Sequence, residues 1–351
     1  MVLQVAAPGR VWGCESMSSE PIVIFLPVRN GGDYLREAID SIVAQTDSDW
    51  RLIVLENAST DSSVAVVRGY RDDRISLIPA ERPLGIFENW HRGLEVAGKL
   101  AGNPLITFIG HDDFFSPGFV AEIKALASSS PDATLYQTLF NLVDGSGNVL
   151  RSCRPIAQHE NWMDMAAALC WGIRDSFGTG YAFRTDDYRR VGGIPELPRL
   201  LYSDHILFTR LARLGSKRCS TSIGCAYRLH VGSASNSFSA GKINDHVSAL
   251  GSFVDTLHGE FAPFVATDLG RAAVDCLIRR ELQVLQTPVI RRALVAANQE
   301  TVLRLERMAS DLSGGTGRAA VFSKEHMLQL ARRLKLSVTY LRAQWSERRR
   351  G

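Results

Sequence analysis

The stretch IVIFLPVRNGGDYLREAIDSIV, residues 22–43, contains the pattern that decides the fold. It begins with a short β-rich apolar run at 22–27 and turns at Asn30-Gly31-Gly32. Apolar residues at helical spacing then follow from Tyr34 to Val43. A strand that leads directly into an amphipathic helix is the repeating unit of a parallel sheet with crossover helices, so the sequence predicts an α/β fold.

The same unit occurs three more times before residue 130. Apolar runs at 51–56, 75–79 and 106–109 each precede a helical pattern. Ser59-Thr60-Asp61 offers capping oxygens to the second helix, and Pro117 suits the first position of the fourth. Four such units predict an open, mostly parallel, doubly wound sheet flanked by helices.

The alternation weakens after Asp132. A candidate strand at 133–143 is followed by a hairpin turn at 144–147, and further candidate strands lie at 180–184 and 225–230. Asp204 opens a helical stretch, and from about residue 244 the pattern is almost wholly helical. The predicted organisation is a disordered leader at 1–19, an α/β domain at 20–236 with halves 20–130 and 131–236, and a helical region at 237–351.

The composition is that of a soluble globular protein. A net charge of only +3 gives no general reason to expect nucleic-acid binding. No apolar run is long enough to predict a membrane-spanning helix, and the first 20 residues lack the basic and apolar regions of a secretory signal. The cysteines lack C-x-x-C spacing, which argues against a zinc site or a disulfide framework and favours a reducing cytoplasm. They are Cys14, Cys153, Cys170, Cys219, Cys225 and Cys276.

Three of the four predicted strands end in polar pairs: Arg29-Asn30, Glu56-Asn57 and Asp112-Asp113. Because ligands bind at the carboxyl ends of strands in an open α/β sheet, we expect these side chains to converge. Adjacent carboxylates repel unless a cation or a protein partner holds them, and an oxygen-rich site suits Mg²⁺ or Mn²⁺ on a substrate phosphate. Helix capping remains the alternative function of these groups.

Two nucleotide-binding motifs are absent from the sequence. No G-x-G-x-x-G follows the first strand, where Pro27-Val28-Arg29-Asn30 stands, and no P-loop occurs. A bound phosphate would therefore be neutralised by a metal and side chains, with less help from a glycine-rich helix start.

Four segments, in this order and spacing, resemble the family 2 glycosyltransferases: IVIFLPVRNGGDYLREAIDSIVAQT, LIVLENASTD, LGIFENWHRGLEVA and ITFIGHDDFFSPGFV. The similarity covers residues 20–125 strongly and continues more thinly to about Asn236. Each motif alone is weak, but their order makes the resemblance specific. It implies a GT-A fold, which is a Rossmann-like open sheet flanked by helices, with a helical C-terminal extension in this chain. It also implies a nucleoside-diphosphate sugar as donor.

The resemblance also implies roles for single residues. Glu56 would accept an N–H group from the base of the donor. Asp112 would contact the ribose or a metal-bound water, and Asp113 would ligate the Mg²⁺ or Mn²⁺ on the diphosphate. Asp204 matches the general base of the E-D motif of the family, although Ser203 stands in place of its Glu.

Pro27, Arg29 and Asn89 would complete the donor site. Arg29 stands where an aromatic residue often stacks on the base, and a guanidinium plane can also stack or bind phosphate. His230 occupies a position where relatives sometimes offer a metal or phosphate contact, and a structural hydrogen bond is the alternative. This chain also departs from the family pattern just before the acid pair. Many relatives read D-x-D-D, whereas this chain has Gly110 in place of the first acid.

The implied reaction is a hexosyl-type transfer to an acceptor hydroxyl with inversion, in which Asp204 takes the hydroxyl proton. The acceptor would be a glycan or a lipid-linked sugar in cell-surface polysaccharide or glycolipid synthesis. A degenerate relative that binds nucleotide sugar or glycan without turnover is the alternative. A sugar nucleotidyltransferase is disfavoured, because PVRNGGDYL does not supply its glycine-rich basic loop.

The resemblance further implies that residues 150–200 shape the acceptor site, since in this fold the segment after the metal motif faces the incoming hydroxyl. Trp162 and Trp171 offer faces on which a sugar could stack. The alternative is that both belong to the core side of an amphipathic helix.

The last predicted helix carries an apolar stripe from Met327 to Trp345, and residues 324–351 contain eight basic residues against two acidic ones. Such a helix can lie on anionic lipid and bring the enzyme to a lipid-linked acceptor. It can equally dock on its own domain or form a homodimer. The sequence therefore predicts a cytoplasmic protein, either free or peripheral at the inner face of the membrane.

Overall fold

The computed structural model describes residues 21–230 and 240–285, together with 300, 303–305 and 307–308. The predicted leader and the last predicted helix with its basic end lie outside these residues. The strands are β1 Ile22–Val28, β2 Trp50–Glu56, β3 Ile75–Pro79, β4 Leu105–Phe108, β5 Phe114–Phe115, β6 Leu135–Val143, β7 Val149–Ser152, β8 His159–Glu160, β9 Tyr181–Arg184 and β10 Lys217–Arg228. The helices are α1 Tyr34–Val43, α2 Ser63–Gly69, α3 Ile86–Ala97, α4 Phe119–Ser129, α5 Trp162–Cys170, α6 Thr185–Arg190, α7 Ser203–Leu214, α8 Ala240–Gly259, α9 Ala262–Val265 and α10 Asp268–Leu285.

One sheet runs through the α/β part of the molecule in the order β3-β2-β1-β4-β9-β6-β10-β5, with β7 beside β6 and β8 beside β10. Strands β1 to β4 are parallel, which confirms the predicted doubly wound half. Strand β9 lies antiparallel between β4 and β6. The carboxyl ends of β1, β2 and β4 therefore open on one edge, as the sequence predicts.

Strands β1, β4 and most of β2 are buried because both faces of the sheet are covered there, whereas the edge strand β3 is partly exposed. Ile24 and Leu52 point into a cluster with α1, whereas Phe25 and Leu55 pack on the other face toward α3. Strands β1 and β2 thus present alternate side chains to two buried cores, so mostly apolar runs replace the alternation of a half-exposed strand.

The C-terminal helices α8, α9 and α10 form a third apolar cluster with α5, around Trp171, Phe253 and Leu277. Trp171 is fully buried in this cluster and Trp162 packs against it. The core alternative for the two tryptophans is therefore confirmed, and the described C-terminal helices are packed on the α/β part of the chain.

Two local predictions need correction. Helix α4 begins at Phe119, and Pro117 precedes it with its carbonyl accepting the Thr46 backbone N–H at 2.8 Å. Strand β10 begins at Lys217, earlier than predicted, because polar side chains along its first half hide the strand pattern. Of the proposed caps, Asp61 does accept the N–H of Ser63 at 2.9 Å, at the start of α2.

One polar cluster is buried beside that early part of β10. Glu160 accepts hydrogen bonds from Arg174 Nη1 at 2.6 Å and from Lys217 Nζ at 2.7 Å. All three side chains are almost completely closed to solvent. Burial lowers the pKa of Lys217 well below its usual value, and the charge of Arg174 lowers it further.

Within the described residues, no helix is long and apolar enough to cross a membrane.

Candidate active site

The acid pair lies in the loop between β4 and β5, at the open edge of the sheet. The two-residue strand β5 pairs antiparallel with Cys225 and Ala226 of β10, which fixes the far side of the loop. A Cβ atom placed on Gly110 would lie 2.7 Å from Asp112 Oδ1 and 3.3 Å from Asp113 Oδ2. Both carboxylates therefore face this glycine, and a side chain at the position of the missing acid would require Asp112 to move.

Asp113 is the more buried acid of the pair, with 3% of its surface exposed. Its Oδ1 accepts the Arg228 backbone N–H at 2.9 Å, and its Oδ2 accepts the hydroxyl of Thr179. Burial and, next, the negative charge of Asp112 raise the pKa of Asp113 to about 8, and these hydrogen bonds only partly offset that increase. Burial and the charge of Asp112 therefore favour the protonated form of Asp113, and a cation beside it would favour the ionised form.

Asp112 is more accessible and has a histidine partner. Its Oδ2 lies 2.9 Å from His230 Nε2, and the His230 ring lies 5.0 Å from that of Tyr34. The structure therefore places His230 beside the acid pair in a hydrogen bond, and its role as a metal ligand stays a prediction.

Arg228 organises this loop, and sequence reasoning gave it no role. Its buried guanidinium donates through Nε to the Asp112 carbonyl at 2.7 Å and through Nη1 to the Gly145 carbonyl at 3.0 Å. Nη2 donates to Glu37 of α1, and the guanidinium lies 4.5 Å from the Tyr34 ring centroid. An arginine in a strand normally predicts a solvent contact, so only the tertiary structure reveals this position.

A cavity of about 390 Å³ begins at the acid pair. Asp112 and Asp113 line it together with Asp204 and His205 from the first turn of α7. Much of the remaining wall is aromatic: Trp90, Phe108, Phe177, Tyr181, Phe208 and Tyr227. Asp204 Oδ1 accepts the His205 backbone N–H at 2.9 Å. The structure therefore brings the predicted metal acid and the predicted general base to the same cavity, with aromatic faces suited to a sugar ring.

Four predicted donor-site residues do not line this cavity. Pro27 is buried within β1 and Arg29 is exposed. Glu56 is 2% exposed and accepts the Ser59 N–H, whereas the buried Asn89 donates to the Leu55 carbonyl at 3.2 Å. The polar atoms of Glu56 and Asn89 that make these bonds are engaged by the protein, so their roles toward a donor remain predictions.

The charged residues that line the cavity are mostly acidic, and this charge is relevant to whether a metal ion binds there. Among the described residues that line it, Asp112, Asp113, Asp204 and Glu281 carry carboxylates, and Arg199 is the sole guanidinium or ammonium group. A diphosphate could not be neutralised by such a wall, so a divalent cation held by carboxylate oxygens fits both the acids and the ligand. Within the described part of the chain, no cluster of three or more Asp, Glu, His or Cys residues is arranged around one point for a metal. Protein oxygens would therefore supply only part of its coordination.

The comparisons with known proteins agree with the fold. Residues 23–192 match the model of glycosyl transferase family 2. An uncharacterized glycosyltransferase of Rickettsia bellii is 33% identical over 140 residues, which are 38% of this chain and 19% of that protein. The chain thus spans less than half the length of the first curated relatives that it matches. Residues 23–192 thus belong to the family 2 glycosyltransferases, and the fold of the chain is GT-A.

Solved structures support the fold at low sequence identity. Staphylococcus aureus TarS 1-349, solved in complex with UDP-GlcNAc, is 13% identical with a TM-score of 0.62 over 94% of this chain and 92% of that one. The mannosyltransferase PcManGT from Pyrobaculum calidifontis, in complex with GDP-Man and Mn²⁺, is also 13% identical, with a TM-score of 0.50 over 87% and 88% of the two chains. The similarity to TarS extends over 94% of this chain and is therefore wider than residues 23–192, which match the family model.

Proposed function

We propose that this protein is a metal-dependent, inverting glycosyltransferase that moves a sugar from a nucleoside-diphosphate sugar to an acceptor hydroxyl. The observation that carries the proposal is that the acid pair and Asp204 line one cavity. The solved relatives bound to UDP-GlcNAc and to GDP-Man with Mn²⁺ support a donor of this class. A role in cell-surface polysaccharide or glycolipid synthesis, on a glycan or lipid-linked acceptor at the cytoplasmic face of a membrane, is part of the same proposal.

Different residues of the cavity would have different roles in the reaction. Asp113, with Asp112 and His230 beside it, would hold a Mg²⁺ or Mn²⁺ ion, which when bound offsets the charge that grows on the departing diphosphate. Asp204 would accept the proton of the acceptor hydroxyl as that oxygen attacks the anomeric carbon from the opposite face. The aromatic wall would exclude water from the reacting carbon. No protein nucleophile and no covalent intermediate are required.

A binding protein without turnover is the second candidate, and two observations favour it. Gly110 leaves the motif with one acid fewer than many relatives, and Asp112 is already paired with His230 at 2.9 Å. Such a protein would keep donor binding but would not release nucleoside diphosphate from a nucleotide sugar.

Donor binding is tested by thermal unfolding with UDP, GDP, dTDP and CDP, each with and without Mn²⁺. We expect one diphosphate to stabilise the wild type by a few degrees in the presence of Mn²⁺, because a ligand at about 100 times its Kd adds roughly 2.7 kcal/mol. Asp113→Ala should abolish this shift, whereas Asp186→Ala, on the exposed face of α6, should retain it. An equal shift in Asp113→Ala would contradict the assignment of Asp113, and no shift of the wild type with any diphosphate would contradict donor binding.

The pH dependence of Mn²⁺ binding provides a second test. Because the pKa of Asp113 is raised to about 8, a cation must displace its proton at neutral pH. The apparent Mn²⁺ affinity should therefore rise by up to about tenfold per pH unit below pH 8 and level off above it. Calorimetry from pH 6.5 to 9 measures the slope.

Asp112→Asn is the matched variant for this experiment. It removes the neighbouring negative charge that helps to raise the pKa of Asp113, so its affinity should level off at a lower pH than that of the wild type. A wild-type affinity that does not change between pH 6.5 and 8 would show that Asp113 does not exchange a proton for the cation.

A further inference from the structure

A second group of polar residues lines the cavity, and it comes from the helical region rather than from the sheet edge. The Tyr202 hydroxyl donates to Glu281 Oε2 at 3.0 Å and lies 3.0 Å from His246 Nε2. His246 Nε2 is also 3.2 Å from Glu281 Oε2. His246 belongs to α8 and Glu281 to α10, so the C-terminal helices form part of the cavity wall.

The charge of Glu281 is fixed in place by its surroundings. Burial raises the pKa of Glu281, but the hydrogen bond from His246 and the charge of Arg280 outweigh burial and lower the pKa to about 2. Arg280 Nε donates to Glu281 Oε1 at 2.9 Å. The side chains of His246 and Glu281 nevertheless keep 20% and 16% of their surface exposed. This group therefore presents an ionised acceptor, a hydroxyl and an imidazole to the cavity.

The backbone that enters α7 is held in an unusual conformation by this group. Arg199, Leu200 and Tyr202 have φ angles of 56°, 57° and 64°, in the left-handed region that non-glycine residues rarely occupy. All three line the cavity. The Tyr202 ring stacks on Phe253 of α8 with 5.2 Å between centroids, and its hydroxyl is bonded as described. Strained backbone persists where the surrounding structure holds it and is concentrated at ligand sites.

The position of this group in the chain relates it to the acceptor. Tyr202 is two residues before Asp204, which would contact the attacking hydroxyl, whereas the donor diphosphate would lie at the acid pair after β4. The acceptor must therefore reach Asp204 from a part of the wall that the donor does not occupy. The described lining residues carry four carboxyl groups against the single guanidinium of Arg199, so the net negative charge of the wall disfavours an anionic acceptor.

We propose that Tyr202, His246 and Glu281 form the acceptor subsite, and that they bind the hydroxyl groups of an uncharged sugar. A carboxylate, a hydroxyl and an imidazole offer the hydrogen-bonding groups that sugar hydroxyls require, both donors and acceptors. The assignment rests on the proposed function, since it takes Asp204 as the base. It also makes α8 and α10 part of the binding machinery instead of an appendage.

The test is binding to an immobilised array of neutral, sialylated and phosphorylated oligosaccharides, in the presence of Mn²⁺ and the nucleoside diphosphate that stabilises the wild type. The wild type should bind neutral glycans, and Glu281→Gln and Tyr202→Phe should each weaken this binding by roughly 10- to 100-fold, as expected for hydrogen bonds to a charged group. Tyr202→Phe removes only the hydroxyl and keeps the stacking on Phe253. Glu260→Gln is the matched control, because Glu260 pairs with Arg210 at 2.8 Å and does not line the cavity.

The outcomes separate the subsite from the donor site. Lost glycan binding with an unchanged thermal shift by the nucleoside diphosphate would support the acceptor subsite. Unchanged glycan binding by both variants, binding of phosphorylated glycans in preference to neutral ones, or no glycan binding by the wild type would each overturn it. The thermal shift of the wild type, measured on the same preparation, reports failure of the proposed function independently.

Discussion

Asp204→Asn is expected to lower kcat by about 10²- to 10⁴-fold, the range over which a general base contributes to catalysis. The substitution keeps a side-chain oxygen that can accept the His205 N–H, so the first turn of α7 should be preserved. The amide cannot take a proton from the acceptor hydroxyl. The thermal-shift panel identifies the nucleoside diphosphate that binds, and a nucleotide sugar with the same base is then used as donor. The measurement is the release of nucleoside diphosphate from this donor in the presence of acceptor.

The binding properties of this variant distinguish a lost base from a damaged fold. The thermal shift by the nucleoside diphosphate and Mn²⁺ should be unchanged, because Asp204 lies on α7 and the acid pair lies after β4. Asp186→Asn, on the exposed face of α6, is the matched substitution that should leave kcat unaltered. Turnover by Asp204→Asn within twofold of the wild type would exclude Asp204 as the base.

Glu160→Gln is expected to destabilise the protein by about 3–5 kcal/mol, the cost of removing one partner of a buried ion pair. Arg174 would keep its charge in an environment closed to solvent, with only an amide oxygen in place of the carboxylate. Urea denaturation should show this loss as a lower midpoint with an unchanged slope. The cluster lies outside the residues that line the cavity, so nucleotide binding of the folded fraction should be retained.

Lys217→Met provides the contrast. Burial already lowers the pKa of Lys217 well below its usual value, and Arg174 alone can balance the charge of Glu160. Replacing the amine by a side chain of similar length should therefore change stability far less than Glu160→Gln. Equal losses in the two variants would mean that Lys217 carries its charge in the folded protein and is needed to balance the cluster.

The first half of the fold could be predicted from the sequence because it depends on local pattern. Each strand of the β1 to β4 set is a continuous apolar run followed by an amphipathic helix, so the order of elements and the edge at which Asp112 and Asp113 lie both follow from spacing. Asp204 was identified by resemblance to a family, and the structure brings it to the same cavity as the acid pair. Patterns local in the sequence thus predict the order of β1 to β4, whereas the predicted role of Asp204 depends on the order of motifs along the chain.

The remainder depends on contacts between distant parts of the chain. The partners of Glu56 and Asn89 could not be read from spacing, since a buried polar side chain takes whichever group the tertiary structure offers. Arg228 and the early part of β10 look like surface residues in the sequence, yet Arg228 is 2% exposed. Helices α8 and α10 reach the cavity although they lie far along the chain from the acid pair. The spacing of apolar residues within each helix does not predict this contact.

The pairing of β5 with β10 and the bonds of Arg228 have a consequence for protein engineering. The loop that carries the acid pair lies in the first half of the sequence, but its shape is held by Cys225, Ala226 and Arg228 from the second half. A chimera in which everything after residue 130 is replaced would also lose the residues that support the acid-pair loop. The segment from Lys217 to His230, together with Thr179 and Gly145, therefore has to be kept with the loop that carries the acid pair, and the part of the chain that can be exchanged is discontinuous.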